Sequence, residues 1–170
     1  TVARVNGWCF SGACQVLLAW DLAIANEDAQ FGLSEINWGI IPAGIVTKSV
    51  AMALAQRQAL YYILTGDPFD GRRAEQIGLV NFAVPAAELE ARTKALAHKL
   101  MEKNPFVLRS CKTAYHRVRE MSWENAFDYL GAKNDQSKLL DPERGAQKGM
   151  SQFLDEKSYR PGLGAYKRDA

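Results

Sequence analysis

A single carboxylate, Glu35, stands in the otherwise uncharged stretch Phe31-Gly-Leu-Ser-Glu-Ile-Asn-Trp-Gly-Ile-Ile-Pro-Ala-Gly44. An acid among apolar residues and glycines is costly to keep unless it is solvated, paired or used, and one in use handles protons as a general acid or base. Upstream, Asn6-Gly-Trp-Cys-Phe-Ser-Gly-Ala-Cys-Gln15 reads as a glycine turn feeding a helix. The first N–H groups of a helix have no partner within it, and the helix dipole favours negative charge there. An acid/base in one segment and an anion-binding backbone in the other point to chemistry on a carbonyl compound.

Positioning these two segments requires an alternation of short strands and helices. Thr1–Val5 reads as a strand, Gly12–Ala19 as a short helix, Leu22–Ala25 as a buried strand and Gln30–Leu33 as another extended piece. The glycine-rich segment with Glu35 follows, then helices over about Thr47–Ala55 and Arg57–Leu64, the second ended by the C-terminal cap Gly66. Gly71–Gln76 is expected as a further helix, and Leu79–Val84 as a strand stopped by Pro85. From Ala86 onward the pattern is helical: Ala86–Lys103, a helix opened by Asn104-Pro105, one opened by Ser122, and a last one opened by Asp141-Pro142-Glu143. The tail from Ser158, with Pro161, Gly162 and Gly164, is expected to be irregular.

Alternating β and α pieces followed by a run of helices predict an α/β core over residues 1–85 and a helical region over 86–170. That helical region has only part of a core of its own, yet carries Trp123, Phe127, Tyr129, Leu130, Leu139 and Leu140. Some of these are expected to pack on a neighbouring subunit.

Composition narrows the classes of function. The 170 residues are 48% hydrophobic and 24% charged, ordinary for a globular domain with a core. A net charge of +2, with basic and acidic residues interleaved, gives no stripe for nucleic acid. No apolar run approaches the roughly 20 residues that span a bilayer. Three cysteines, none in a Cys-x-x-Cys pair, argue against a disulfide framework or a zinc site and for a reducing compartment such as the cytoplasm. The chain starts directly in strand-like sequence without a signal-peptide pattern, as expected of the C-terminal portion of a longer protein.

With those residues in view, Asn6-Gly-Trp-Cys-Phe-Ser-Gly-Ala-Cys-Gln-Val-Leu, Asp21-Leu-Ala-Ile-Ala and Phe31-Gly-Leu-Ser-Glu-Ile-Asn-Trp-Gly-Ile-Ile-Pro resemble the crotonase (enoyl-CoA hydratase/isomerase) superfamily. Tyr61-Tyr-Ile-Leu-Thr-Gly-Asp and Ala74-Glu-Gln-Ile-Gly-Leu-Val-Asn are similar to the stretches that follow in that family. Within it, Val5–Gly12, Phe31–Ile40 and the C-terminal Asp135-Gln-Ser-Lys-Leu-Leu-Asp, Gln152-Phe-Leu-Asp-Glu-Lys-Ser and Arg160-Pro-Gly-Leu are similar to the hydroxycinnamoyl-CoA (feruloyl-CoA) hydratase-lyases. The resemblance implies a ClpP/crotonase-like core of repeated β-β-α units with a C-terminal helical region, whose N-terminal part is missing here. It also implies assembly as a homotrimer or homohexamer.

The resemblance further implies that two backbone N–H groups polarise a thioester carbonyl. Gly12 matches the glycine supplying one, and the other would lie in the missing part. Glu35 matches the catalytic glutamate. Hydratases of the two-glutamate kind have a second carboxylate where this chain has Gln15, an amide that exchanges no protons but can hold a water. The hydratase-lyases also lack that glutamate. They add water to a cinnamoyl-CoA and cleave the product by retro-aldol to an aromatic aldehyde, such as vanillin, and acetyl-CoA. No separate cofactor is implied, coenzyme A being part of the substrate. Those lyases bring a tyrosine from a neighbouring subunit to the substrate's phenol. The aligned position here is Gly131, and Tyr129 lies two residues earlier, roughly 200° away around a helix.

Blander readings stand beside these. Trp38 reads as core, pocket wall or a substrate contact, Gly39 beside it as a substrate contact, and Gln15 as either a structural helix residue or a water holder. Cys9 and Cys14 read as small apolar fillers, and His98 and His116 as surface or packing residues. Lys157, Arg160, Lys167 and Arg168 read as a solvated basic tail or, as the lesser alternative, as contacts to CoA phosphates. Three functions remain open: a hydratase-lyase, a general enoyl-CoA hydratase/isomerase of fatty or aromatic acyl-CoA degradation, and a non-catalytic acyl-CoA-binding paralogue.

Overall fold

Parallel pairing dominates the first part of the chain, because strands that alternate with helices must return in the same direction. The computed structural model describes residues 1–160 and 162–168. These divide into two compact units, Thr1–Ala97 and His98–Ala170. The division falls later than Pro85. Residues 86–97 join the first unit, where Arg92 stacks its guanidinium 4.3 Å over the Phe82 ring and Arg4 approaches Glu90 at 4.0 Å.

In the first unit β1 (Val2–Val5), β3 (Leu22–Asn26) and β6 (Phe82–Val84) form one parallel sheet in the order β1-β3-β6. β2 (Cys9–Phe10), β4 (Gln30–Gly32) and β5 (Phe69–Asp70) form a second, in the order β2-β4-β5. A long strand in one sheet, a short strand in the other and then a helix make the repeating unit. β1, β2 and α1 (Gly12–Leu18) give the first copy; β3, β4, α2 (Val46–Ala53) and α3 (Gln56–Thr65) give the second. β3 is central to its sheet, and Ala23, Ile24 and Ala25 are all buried, as a strand covered on both faces requires.

Each helix turns an apolar row inward at helical spacing: Cys14 and Leu17 on α1, Val46 and Val50 on α2, Ala59 and Tyr62 on α3. Phe31 of β4 stacks on Phe69 of β5 at 5.7 Å, and Tyr62 lies 4.2 Å from the Phe69 ring. α3 ends at Gly66 in the left-handed conformation, as expected from its sequence. Asp70 caps α4 (Gly71–Gln76), accepting from the Arg73 N–H at 2.8 Å. A Cβ on Gly71 would collide with the Asn26 carbonyl of β3, so only glycine fits.

Two expectations change here. Of the second sheet only β4 is marked by local pattern, in the extended piece Gln30–Leu33, while β2 and β5, two residues each, exist only through their partners on β4. The strand expected over Leu79–Val84 shortens to Phe82–Val84. Leu79 and Val80 form a buried turn whose N–H groups donate back to the Ala74 carbonyl.

The second unit consists of the end of α5 (Leu89–Met101), α6 (Pro105–Val118), α7 (Trp123–Leu140) and α8 (Gly145–Leu154). Asn104 caps α6, accepting from Phe106 and Val107 N–H at 2.9 and 3.1 Å with Pro105 in the first turn, and Ser122 caps α7. The expected helix start at Asp141-Pro142-Glu143 is corrected. Asp141 ends α7, and α8 begins after Arg144, which is left-handed at φ 51°. The Asp141 carboxylate is buried instead, accepting from Asn104 Nδ2 and from the N–H groups of Glu143 and Gly145.

Arg168 is likewise no solvated tail residue. It donates from Nε to Glu143 at 2.7 Å and from Nη1 to the Lys103 carbonyl at 3.0 Å. Pro161 lies outside the described residues. No residue of α6 or α7 is buried, and Trp123, Phe127 and Leu139 are largely exposed. All four tryptophans of the chain, Trp8, Trp20, Trp38 and Trp123, are exposed.

Candidate active site

Glu35 is carried by a 3₁₀ turn, Ser34–Trp38, that follows β4 directly. Gly39 closes the turn in the left-handed conformation at φ 72°, donating its N–H to the Ile36 carbonyl at 3.0 Å. Asn37 donates from Nδ2 to the Gly66 carbonyl at 3.3 Å, tying the turn to the end of α3. The turn is thus held at both ends, and it buries the Glu35 side chain to 7% exposure. Oε2 of Glu35 is inaccessible and accepts no hydrogen bond among the described residues. A buried carboxylate oxygen with no partner costs stability, and such costs collect where a group is used.

The start of α1 is fixed to the same strand. Ser11, with φ 51°, donates its N–H to the Gly32 carbonyl at 3.0 Å and accepts from Cys14 N–H at 2.9 Å. Gly32 is the last residue of β4, just before Leu33 and the Glu35 turn. β4 therefore carries Glu35 on its exit and anchors the entry to α1. Gly12 is the first residue of α1 and is exposed, and a Cβ built on it would meet nothing within 4 Å. Its N–H is one of the unpaired donors at a helix start, and the space above it is open.

Cys14 packs beneath this start. Its thiol donates to the Cys9 carbonyl at 3.2 Å and is almost wholly buried. Contact with the Cys9 sulfur first, then burial, pushes it above the ordinary thiol range, and the charge of Glu35 adds to the rise.

Gln15 accepts on Oε1 from the Ile45 N–H at 3.3 Å and lies against Gly44, whose φ is 62°. A backbone N–H can only donate, so the amide oxygen faces Ile45 and the Nε2 donors face away from it. Trp38 and Gly39 share the Glu35 turn but both are exposed, and at 79% exposure Trp38 is not the core residue its apolar ring suggests. Tyr129 lies in the other unit, half-buried on α7. The structure thus gathers Glu35, Gly12 and Gln15 around β4 and the segment after it, and Tyr129 is not part of that group within the first unit. The Gly44–Ile45 backbone that orients Gln15 was missed in the sequence, and only the Pro-Ala-Gly turn signal marked it.

A family model described as enoyl-CoA hydratase/isomerase matches residues 1–160. The chain belongs to the enoyl-CoA hydratase/isomerase family. Among curated relatives, it is 56% identical over 168 residues to the hydroxycinnamoyl-CoA hydratase-lyase of Pseudomonas fluorescens, covering 99% of this chain and 61% of that protein. It is 27% identical over 157 residues to the 2,3-dehydroadipyl-CoA hydratase of Escherichia coli (strain K12), 92% of this chain and 60% of that protein. The crystal structure of an enoyl-CoA hydratase from Mycobacterium smegmatis superimposes with a TM-score of 0.84 at 27% identity, over 91% of this chain and 59% of that one. This enoyl-CoA hydratase/isomerase family member therefore has the crotonase fold expected from its sequence, and it spans about 60% of the length of the curated relatives it matches.

Proposed function

We propose that the whole protein is a hydratase-lyase for hydroxycinnamoyl-CoA thioesters such as feruloyl-CoA, with Glu35 as its acid/base. The observation that carries this reading is the buried Glu35 side chain, whose Oε2 has no hydrogen-bond partner among the described residues, held by the strand that also anchors the open Gly12 helix start. The 56% identity to a hydratase-lyase supports the choice of acyl group.

In this reading the thioester oxygen sits at the Gly12 N–H, where one such donor lowers the barrier by about 3 kcal/mol. Glu35 takes a proton from water as its oxygen bonds to the β-carbon, and returns a proton to the α-carbon. In the second step the β-hydroxyl loses its proton, the Cα–Cβ bond breaks, and its electron pair becomes an enolate on the thioester. The β-carbon leaves as an aromatic aldehyde, vanillin from feruloyl-CoA. Protonation of the enolate carbon gives acetyl-CoA. Gln15 supplies no proton, so a single carboxylate serves both steps while the amide orients water or hydroxyl. Trp38 and Gly39 serve as acyl-group contacts. Tyr129 serves only through assembly into a homotrimer or homohexamer, for which the unburied apolar residues of α7 are the support. The three free thiols fit a reducing compartment such as the cytoplasm.

A protein of full family length is incubated with feruloyl-CoA. Aldehyde and acetyl-CoA should appear in equal amounts and be lost in Glu35→Gln. A folded protein releasing neither refutes the proposal. A preference for crotonyl-CoA would favour the second reading, a general enoyl-CoA hydratase/isomerase. The open, exposed position of Gly131 on α7, with no hydroxyl to offer a phenol, supports that reading.

A further inference from the structure

Two thiols that the proposed chemistry does not use lie against each other in the wall of the site. Cys9 of β2 and Cys14 of α1 are 5% and 2% exposed, and their sulfurs are 3.9 Å apart. Both are free, and the remaining cysteine, Cys111, is exposed on α6. Between the pair lie Ser11, in an unfavourable positive-φ conformation, and Gly12, the first residue of α1.

We propose that Cys9 and Cys14 form an oxidisable dithiol, which peroxide converts to a disulfide that displaces the start of α1 and switches the thioester chemistry off. The effect on turnover rests on the function proposed above; the thiol chemistry does not. The step balances. One thiol, Cys9 as the more accessible, attacks peroxide to give a sulfenic acid and water. The other then attacks that sulfur, closing the S–S bond and releasing a second water.

The bond length is about 2.05 Å, so the sulfurs must close by about 1.9 Å from their present 3.9 Å separation. The two ends of the bridge do not yield equally. Cys9 is registered against the fully buried Phe31 through the β2–β4 pairing. Cys14 rides on the first turn of a seven-residue helix whose N-cap makes no side-chain hydrogen bond. The first turn of α1 is therefore the side that moves, and the Gly12 N–H moves with it. A displacement of about 1 Å at a group that positions a reacting atom costs about a hundredfold in rate. In a reducing compartment such a disulfide is transient, as redox-sensing pairs are.

The test uses the full-length protein carrying Cys111→Ser, treated with hydrogen peroxide and then denatured and alkylated. The tryptic peptide Val5–Lys48 contains both cysteines and no internal cleavage site. It should be lighter by two hydrogens and carry no alkyl group. Feruloyl-CoA turnover should fall about a hundredfold and return with dithiothreitol, and Cys9→Ala should resist the loss. Full alkylation of both thiols after treatment overturns the proposal. So does a disulfide that leaves turnover unchanged, or a loss of turnover that persists in Cys9→Ala. Absence of turnover before treatment would count against the proposed function, and the peptide mass would still decide whether the dithiol closes.

Discussion

Replacing Glu35 by methionine should move stability and turnover in opposite directions. Oε2 of Glu35 is buried with no hydrogen-bond partner among the described residues. An unsatisfied buried polar group costs about 1–3 kcal/mol. Methionine has nearly the same length and no polar atom to satisfy, and a volume-conserving swap costs less than about 1.5 kcal/mol. The net expectation is a gain of about 1–2 kcal/mol in unfolding free energy. Turnover should fall by about 10²–10⁴, the usual worth of a positioned acid/base, which is roughly 3–5 kcal/mol of barrier. Urea unfolding followed by circular dichroism gives the first quantity, and aldehyde release from feruloyl-CoA the second. Glu35→Gln keeps the shape and the polar atoms, so it should lose the same turnover while its unfolding midpoint stays near that of the parent. A methionine variant that unfolds more easily than the parent, or that keeps turnover within tenfold, would refute the reasoning.

Gly12→Ala should leave the fold intact or stabilise it by up to about 1 kcal/mol, because the added methyl meets nothing. Turnover should still drop, since that methyl occupies the approach to the N–H; parallel melting and activity measurements check both halves. Gly71→Ala should destabilise by about 1–3 kcal/mol, because its Cβ strikes the Asn26 carbonyl of the central strand; a thermal melt unchanged from the parent would contradict this. The helical unit should weaken in acid. Burial pushes Asp141 up, but the Asn104 amide and the Gly145 and Glu143 N–H groups outweigh it and hold it low; Arg168 holds Glu143 low. Folded values below the unfolded ones mean that this stabilisation is complete only above the unfolded carboxylate range, from about pH 5 upward, and is lost as pH falls through the folded values. Urea midpoints measured downward from pH 6 should decline in that window, less steeply in Asp141→Asn.

What the sequence disclosed was local in its physics. The caps at Asn104 and Ser122, the glycine stop at Gly66 and the apolar rows of α1, α2 and α3 are set by residues within a turn or two of one another. Glu35 was legible for the same reason: one charge in an uncharged stretch is visible without any fold. What stayed hidden depends on partners far along the chain. β2 and β5 are two residues each and are defined by pairing with Phe31 and its neighbours. Asp141 beside Pro142 has the composition of a helix start, yet its carboxylate is drawn to Asn104 and Gly145 and the helix begins later. Arg168 looked like a solvated tail because Glu143 is distant in sequence. The orientation of Gln15 depends on the Ile45 backbone, across a separation that no periodicity reports.

The placement of the tryptophans has a spectroscopic consequence. The aromatic core is Phe31, Phe69 and Tyr62, while Trp8, Trp20, Trp38 and Trp123 all meet solvent. Indole emission from the isolated folded chain should already sit near its water-exposed wavelength and shift little on denaturation, making it a poor gauge of folding. The same fluorophores become sensors of whatever covers them. An acyl group against Trp38 or a neighbouring chain against Trp123 would move the emission to the blue, so one optical signal can follow ligand and assembly while remaining nearly blind to unfolding.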